Sequence, residues 1–140
     1  MSSEAWDIVA KAAKWARSNH EMLQDSHWVG GDPLKSTVAY GFGSFHPAMD
    51  NGKPKFSMLM RNPNAKSVSV KVDLMGTLEL PAAMVGTKWQ LEEVYSPVPI
   101  ANVFKGLNCA DKLPCSVQSN AAFSWEIPGM SAILINAQPV

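Results

Sequence analysis

The pattern of apolar and polar residues changes abruptly near residue 25. Residues 4–23 contain neither Gly nor Pro and are rich in Ala, with Lys and Glu, which favours helix. Ser2 or Ser3 is placed to cap the start of this helix. Its apolar residues cover an arc wider than the stripe of about 100° that a surface helix needs. These residues are Ala5, Ile8, Val9, Ala12, Ala13, Trp15, Ala16, Met22 and Leu23. We therefore expect a helix that contacts two surfaces.

After residue 27 the pattern is that of short strands separated by turns. Alternating apolar and polar positions predict strands at 37–45, 56–61, 68–72, 89–95, 122–127 and 132–136. Turn-forming residues at 50–52, 62–64 and 128–129 separate several of them. Residues 97–121 are expected to be a long, partly irregular excursion. The pattern predicts a mainly β fold: an antiparallel β-sandwich of Greek-key type, with about seven or eight strands, preceded by one N-terminal α-helix.

The helix divides the chain into two parts, 1–25 and 26–140. A single helix followed only by strands has no second helix against which to pack. Either it docks across the sandwich, or it belongs partly to a preceding domain that this chain does not contain. The wide apolar arc is compatible with both interpretations.

Charge and composition exclude several classes of protein. Twelve basic and twelve acidic residues cancel, and 46% of the residues are hydrophobic, so the chain is not of the disordered type. Binding to a nucleic-acid backbone requires clustered positive charge, so we expect no nucleic acid as a partner. No stretch approaches the roughly 20 apolar residues of a membrane helix, so we expect no membrane insertion.

The two cysteines, Cys109 and Cys115, enclose five residues that include Pro114. This loop is compatible with disulfide geometry, and two free thiols are the alternative. The spacing lacks the ligands of a structural zinc site, and we expect no metal and no other cofactor. A disulfide implies an oxidising compartment. We therefore expect a secreted or periplasmic protein. The polar start of the chain does not have the pattern of a signal peptide, so we expect the signal peptide to lie on a missing N-terminal part.

Motifs for catalysis are absent from the sequence. Glu92 and Glu93 are the only adjacent acidic pair, and neighbours on a strand point to opposite faces. They cannot form the facing pair, about 5–9.5 Å apart, that glycoside hydrolysis requires. The segment 41–45 lacks the second flanking Gly of a nucleophile elbow. We therefore predict no catalytic residue and no enzymatic activity for this chain.

The residues 25–33 form the densest polar and aromatic segment of the chain. Asp25 and His27 could be metal ligands, but a structural linker, in which Trp28 fills an interface, is the favoured interpretation. Exposed aromatic side chains could also form a platform on which sugars stack, although sandwich cores are built from the same residues. The candidates for such a carbohydrate-binding platform are Trp28, Tyr40, Trp89 and Trp125.

Four segments of the sequence resemble a known family. They are 15–19 (WARSN), 25–33 (DSHWVGGDP), 40–45 (YGFGSF) and 58–63 (MLMRNP). Together they are similar to the C-terminal region of α-galactosidase-like glycoside hydrolases, and in particular to a bacterial group often labelled "putative enterotoxin". The resemblance covers about residues 6–72 and is weaker beyond. The chain departs from the family in its Met-rich strand and in the insertion that contains Cys109 and Cys115.

The resemblance implies a parent protein with a (β/α)₈ barrel that carries the catalytic carboxylates. It implies that residues 4–23 are the last barrel helix and that the sandwich is a non-catalytic accessory domain. The expected partner is then the barrel of the same polypeptide. The expected interdomain contacts are Trp6, Ile8, Trp15, His27 and Trp28. The alternatives are a carbohydrate-binding module and a toxin-like or adhesion domain.

Overall fold

The computed structural model describes residues 2–32, 34–35, 38–99, 102–105, 107 and 115–140. The helices of this part are α1 (Ser3–Ser18), α2 (His20–Leu23) and α3 (Leu74–Thr77), and short 3-10 turns occupy Asp50–Gly52 and Ala82–Met84. The strands are β1 (Ser26–Gly30), β2 (Tyr40–Met49), β3 (Lys53–Asn62), β4 (Val68–Val72), β5 (Lys88–Tyr95), β6 (Phe104–Lys105), β7 (Cys115–Gln118), β8 (Phe123–Ile127) and β9 (Ser131–Pro139).

The strands form two antiparallel sheets. The large sheet has the order β1-β2-β3-β9-β5-β7, and the small sheet has the order β4-β8-β6. After β3 the chain alternates between the sheets. The predicted mainly β sandwich with an N-terminal helix is confirmed. The described residues contain nine strands where about seven or eight were expected, and β1, β6 and β7 lie outside the six segments predicted as strands.

One apolar core lies between the sheets. Every second residue of β3, β5, β8 and β9 points into it, as the period of two predicts. The buried side chains of these strands include Phe56, Met58, Met60, Trp89, Leu91, Phe123, Trp125, Ile127, Ile133 and Ile135. Aromatic rings meet edge to face around both tryptophans, for example Phe56 on Trp89 and Phe104 on Trp125. Burying one such side chain stabilises the fold by about 1.5–3 kcal/mol.

The predicted single helix over residues 4–23 is interrupted at Asn19. Ser2 caps α1, as predicted, by accepting a hydrogen bond from the Ala5 backbone N–H at 3.3 Å. Asn19 leaves the helical conformation (φ −117°, ψ 18°), and its Nδ2 donates to the Trp15 carbonyl at 2.8 Å. A short amide side chain that bonds to a nearby carbonyl favours a helix end over helix continuation. The break turns α2 toward the sheet, where Met22 is completely buried.

The prediction that residues 25–33 form a linker is wrong for Ser26–Gly30. These residues form β1, an edge strand of the large sheet that pairs Trp28 with Phe42. Val29 points into the core and is buried. The two glycines and the acidic residues give the segment a low β propensity, so the sequence did not indicate a strand. Pairing with β2 makes it a strand nevertheless, because strand formation depends on neighbouring strands more than on propensity.

The predicted irregular excursion at 97–121 contains two strands in its described part. Strand β7 extends the large sheet by pairing Leu91 with Cys115, and β6 pairs with β8 in the small sheet. Cys115 is buried and disulfide-bonded. Cys109, the predicted partner, lies outside the described residues.

The buried side chain of Asn62 joins the two sheets. It is at the end of β3, it is completely buried, and its Nδ2 donates to the carbonyls of Lys66 (2.9 Å), Ile127 (2.9 Å) and Pro128 (3.0 Å). Its Oδ1 accepts from the Asn64 N–H at 2.9 Å. The amide thus satisfies backbone groups at the end of β8 and in the turn after β3.

We predict that Asn62→Ala lowers the free energy of unfolding by about 2–3 kcal/mol, because it removes several hydrogen bonds of a completely buried amide, among them the buried one to the Ile127 carbonyl. Urea unfolding followed by circular dichroism measures this loss. Asn120→Ala, which removes an exposed amide, is the matched control, and its effect should stay within about 0.5 kcal/mol. Equal effects of the two substitutions would contradict the role of Asn62.

The predicted turn at 50–52 connects β2 and β3, and both Asn51 and Gly52 have positive φ angles (61° and 78°). Asp50 Oδ2 in this turn accepts hydrogen bonds from Lys55 Nζ at 2.9 Å and from Gln138 Nε2 at 2.8 Å. The hydrogen bond from Lys55 holds the pKa of the Asp50 carboxyl below its usual value. The interaction links the turn to the last strand.

We predict that Asp50→Asn destabilises the protein at pH 7 by about 1 kcal/mol or less, since the carboxyl is half-exposed. Because the folded pKa of Asp50 is lowered, its stabilisation is complete above the unfolded pKa of about 3.9 and is lost as the pH falls through the folded pKa. Urea unfolding at pH 7 and at pH 2.5 should therefore show a smaller difference between the two proteins in acid. Glu92→Gln controls for the loss of one exposed charge, and an undiminished difference at low pH would refute the prediction.

Candidate functional site

The face of the large sheet that points away from the core carries a continuous row of apolar side chains. The strand register places Trp28, Phe42, Leu59, Leu134 and Tyr95 side by side across β1, β2, β3, β9 and β5. We call these five residues the apolar row. All of them except Leu134, which is half-buried, are at least 36% exposed. Exposed apolar side chains that lie next to one another indicate an interaction site more than scattered ones do.

The apolar row has a polar border on one side. The next row contains Ser26, Ser44, Ser57 and Asn136, and the hydroxyls of Ser26 and Ser44 are 2.7 Å apart. Ser44, Ser57 and Asn136 are buried although they point away from the core. Helix α2 contacts β2 and β3 here and covers part of this border.

A groove of about 170 Å³ separates the helices from the apolar row. Trp15 and Leu23 form its helical wall, Phe42, Leu59 and Leu134 form its floor, and the serines of the polar border close one end. The lining is almost entirely apolar. The groove therefore continues the apolar row beneath the end of α1.

Helix α1 has no buried residue along its 16 positions. On its apolar arc, Val9 is 48% exposed and Ile8 is 43% exposed, and Trp6, at the margin of the arc, is 60% exposed. Trp15 and Ala16, near the sheet, are only half-buried. The sandwich therefore does not cover the arc that the sequence predicted to be an interface.

Three aromatic rings meet at the β1 end of the apolar row. Trp28 and Tyr40 stack with their centroids 5.3 Å apart and their planes at 9°, and Phe42 meets Trp28 edge to face at 5.2 Å. The Trp28 indole N–H donates to the Gly31 carbonyl at 3.1 Å. These contacts hold Trp28 in place, although 45% of its surface is exposed.

The predicted carbohydrate platform is wrong for Trp89 and Trp125. Both are completely buried, because the alternation of β5 and β8 points them into the core. Trp28 and Tyr40 are accessible, but they stack on each other instead of lying side by side in one plane. Only two of the four predicted residues can therefore contact a sugar.

His27 lies between two carboxylates on the core-facing side of β1. Its Nε2 is 3.2 Å from Asp25 Oδ1 and its Nδ1 is 3.6 Å from Glu79 Oε1. Because the two acids lie on opposite sides of the ring, they do not share one centre with a histidine nitrogen. The described residues include no group of three or more His, Cys, Asp or Glu side chains that could hold a metal ion. His27 points to the face opposite Trp28, so the two predicted interface residues do not share one surface.

Sequence reasoning missed Leu59 and Leu134 as surface residues. Each alternates with buried neighbours on its strand, and that alternation was the available signal for an outward position. On β2, Tyr40 and Phe42 lie on the outer face, and Gly43 lies on the face that meets Leu78 of the core. A Cβ at Gly43 would lie 2.5 Å from Leu78 Cδ2, so the core face of β2 has no room for a side chain at this position.

No protein-family model, no characterised protein and no solved structure matches this chain. None of the helices in the described residues has the length and apolar character needed to cross a membrane.

We predict that the tryptophans divide into two classes by stability. Trp28→Ala should lower the free energy of unfolding by about 1 kcal/mol or less, because Trp28 is half-exposed and loses mainly ring contacts. Trp125→Ala should lower it by about 3–5 kcal/mol, because it leaves a cavity in the core. Urea unfolding of the two variants measures the difference, and a loss at Trp28 as large as that at Trp125 would contradict an outward-facing Trp28.

Proposed function

We propose that this chain is a non-catalytic accessory domain that packs on the (β/α)₈ barrel of a secreted, α-galactosidase-like glycoside hydrolase and stabilises it. In this proposal residues 1–25 are the last helix of the barrel domain. The enzymatic activity then resides in the barrel. The sandwich would fix the position of that last helix.

One observation carries the proposal: helix α1 exposes its apolar arc. Helices of this length gain most of their stability from the packing of an apolar face, not from helix propensity. Trp6 exposes 60% of its surface and is a neighbour of Val9 on the helix surface, and Ile8, about 160° from Trp6, is exposed toward the opposite margin of the arc. A domain that covers this arc would remove three large apolar side chains from water.

The apolar row supports the same partner. The groove that Trp15 lines together with Phe42, Leu59 and Leu134 brings the end of α1 next to this row. A partner that covers both would fill the groove with its own side chains. Packing of this kind has the composition of an obligate interface, with an apolar centre and a polar border.

A carbohydrate-binding role is the second candidate, and the accessible pair of Trp28 and Tyr40 favours it. The pair offers less stacking surface than a platform of side-by-side rings, since each ring covers one face of the other. The burial of Trp89 and Trp125 removes the rest of the predicted platform. We therefore rank docking above sugar binding.

The reading frame upstream of Met1 tests the proposal. We expect it to encode a barrel with paired carboxylates, and the joined protein to hydrolyse an aryl α-galactoside while the isolated chain does not. In the joined protein Ile8→Glu should lower the melting temperature by several degrees, because it places a charge in the interface. In the isolated chain the same substitution should change stability little, since Ile8 is exposed there.

Lys14→Glu, which changes charge on the same helix, is the matched control. The proposal is wrong if no barrel is encoded upstream, if the isolated chain turns over the substrate, or if Ile8→Glu has equal effects in both proteins. Titration of the isolated chain with neutral glycans tests the second candidate. Saturable binding that Trp28→Ala abolishes would favour a carbohydrate-binding module instead.

A further inference from the structure

Arg61 is an exposed cation that a neighbouring side chain holds in place. Its Nη1 donates to the Tyr40 hydroxyl at 2.6 Å, and its Cζ lies 5.7 Å from the centre of the Tyr40 ring. Tyr40 is itself fixed by stacking on Trp28. The guanidinium has five N–H donors, and one hydrogen bond to Tyr40 leaves most of them available. Arg61 is therefore oriented, but its hydrogen-bonding capacity is largely unused.

No carboxylate in the described part of the chain pairs with Arg61. The ion pairs there are those of His27 with Asp25 and Glu79 and that of Lys55 with Asp50. An arginine fork matches the planar geometry of a carboxylate, with which it forms two parallel hydrogen bonds. The free side of Arg61 is thus suited to an acid from outside the chain.

Arg61 also lines a second groove of about 170 Å³. This groove, which we call the Arg61 groove, lies at the ends of β3 and β9 and is lined by Arg61, Asn62, Pro63, Met130, Ser131 and Ala132. Pro63, Met130 and Ala132 give it apolar walls. A ligand that suits this lining has a carboxylate for Arg61 and an apolar face for Pro63, Met130 and Ala132.

The two loops that form the Arg61 groove are rigidly joined. Asn62 bonds to the carbonyls of Ile127 and Pro128, and the Met130 N–H donates to the Asn64 carbonyl at 2.7 Å. Met130 has a left-handed backbone (φ 52°), which is rare for residues other than glycine, and its side chain is 75% exposed. Strained, exposed residues of this kind are concentrated at ligand sites.

We propose that the Arg61 groove binds a small carboxylic acid, with Arg61 as the anion-binding residue and Tyr40 as the residue that positions it. The carboxylate meets the free donors of the guanidinium, and the body of the ligand lies against Pro63 and Met130. The proposal does not depend on the barrel or on docking at the apolar row. Two sources share this chemistry: a sugar acid, whose ring carries an apolar face, and an aromatic acid.

Titration of the ¹⁵N-labelled chain, monitored by NMR, tests the proposal with two acids and two neutral controls. Sodium galacturonate is compared with galactose, and sodium benzoate with benzyl alcohol, all at constant ionic strength. We expect saturable shifts at the amides of residues 61–62 and 130–132 for at least one acid, with a Kd on the order of 1 mM, as is usual for ligands of about ten atoms. Tighter binding of galacturonate indicates a sugar acid, and tighter binding of benzoate indicates an aromatic acid.

Three variants test separately the charge of Arg61, the fork geometry of its guanidinium and its positioning by Tyr40. Arg61→Gln should weaken binding at least tenfold, and Arg61→Lys should weaken it severalfold, because lysine keeps the charge but loses the fork. Tyr40→Phe should weaken it severalfold and also move the Arg61 Nε–H signal, which a purely structural change elsewhere would not do. Lys71→Gln, an exposed basic residue on the small sheet, is the control and should bind like the wild type.

Three results would overturn the proposal. The first is the absence of saturable shifts for both acids in the millimolar range. The second is shifts of equal size for an acid and its neutral control, which would exclude recognition of the carboxylate. The third is undiminished binding by Arg61→Gln in a protein whose spectrum shows it to be folded.

Discussion

Strand β9 pairs with β3 on one side and with β5 on the other, and the whole large sheet depends on the register of these two pairings. The register puts Ile133 and Ile135 into the core and Leu134 onto the outer face. Because side chains alternate with a period of two, a slip of one residue would exchange the two sets. The core and the apolar row are therefore two consequences of one pairing. The strand that decides both is the last one in the chain.

The buried amide of Asn62 complements this pairing at one end of the sandwich. Where β3 leaves the large sheet and β8 ends in the small sheet, the buried Asn62 amide donates to the carbonyls of Lys66, Ile127 and Pro128. At the opposite end of β3, Asp50 joins the turn before the strand to Lys55 and to Gln138 of β9. Polar groups thus hold both ends of the central strands, and apolar contacts hold the middle.

Two apolar surfaces of the described residues lie outside the core, one on helix α1 and one on the large sheet. Helix α1 exposes its apolar arc, the outer sheet face exposes the apolar row, and the groove at Trp15 connects them. The proposed docking onto a barrel would account for both surfaces with one partner. The Arg61 groove lies on the other side of the row, at the strand ends, where Tyr40 and Asn62 give it a rigid frame. The two proposals assign different chemistry to neighbouring parts of the same face.

Local sequence determined the helix near the N-terminus with a serine cap at residue 2 or 3, most of the strands, the turn at 50–52 and the mainly β class, because each follows from a periodicity, a capping preference or a turn preference of adjacent residues. Tertiary structure alone decided that Trp89 and Trp125 are buried while Trp28 is exposed, that Ser26–Gly30 is a strand, and that Leu59 and Leu134 join the apolar row. Alternation tells which residues share a face, but not which face meets the second sheet. That choice depends on contacts between residues far apart in the chain, such as Leu78 against Gly43, and no local pattern contains them.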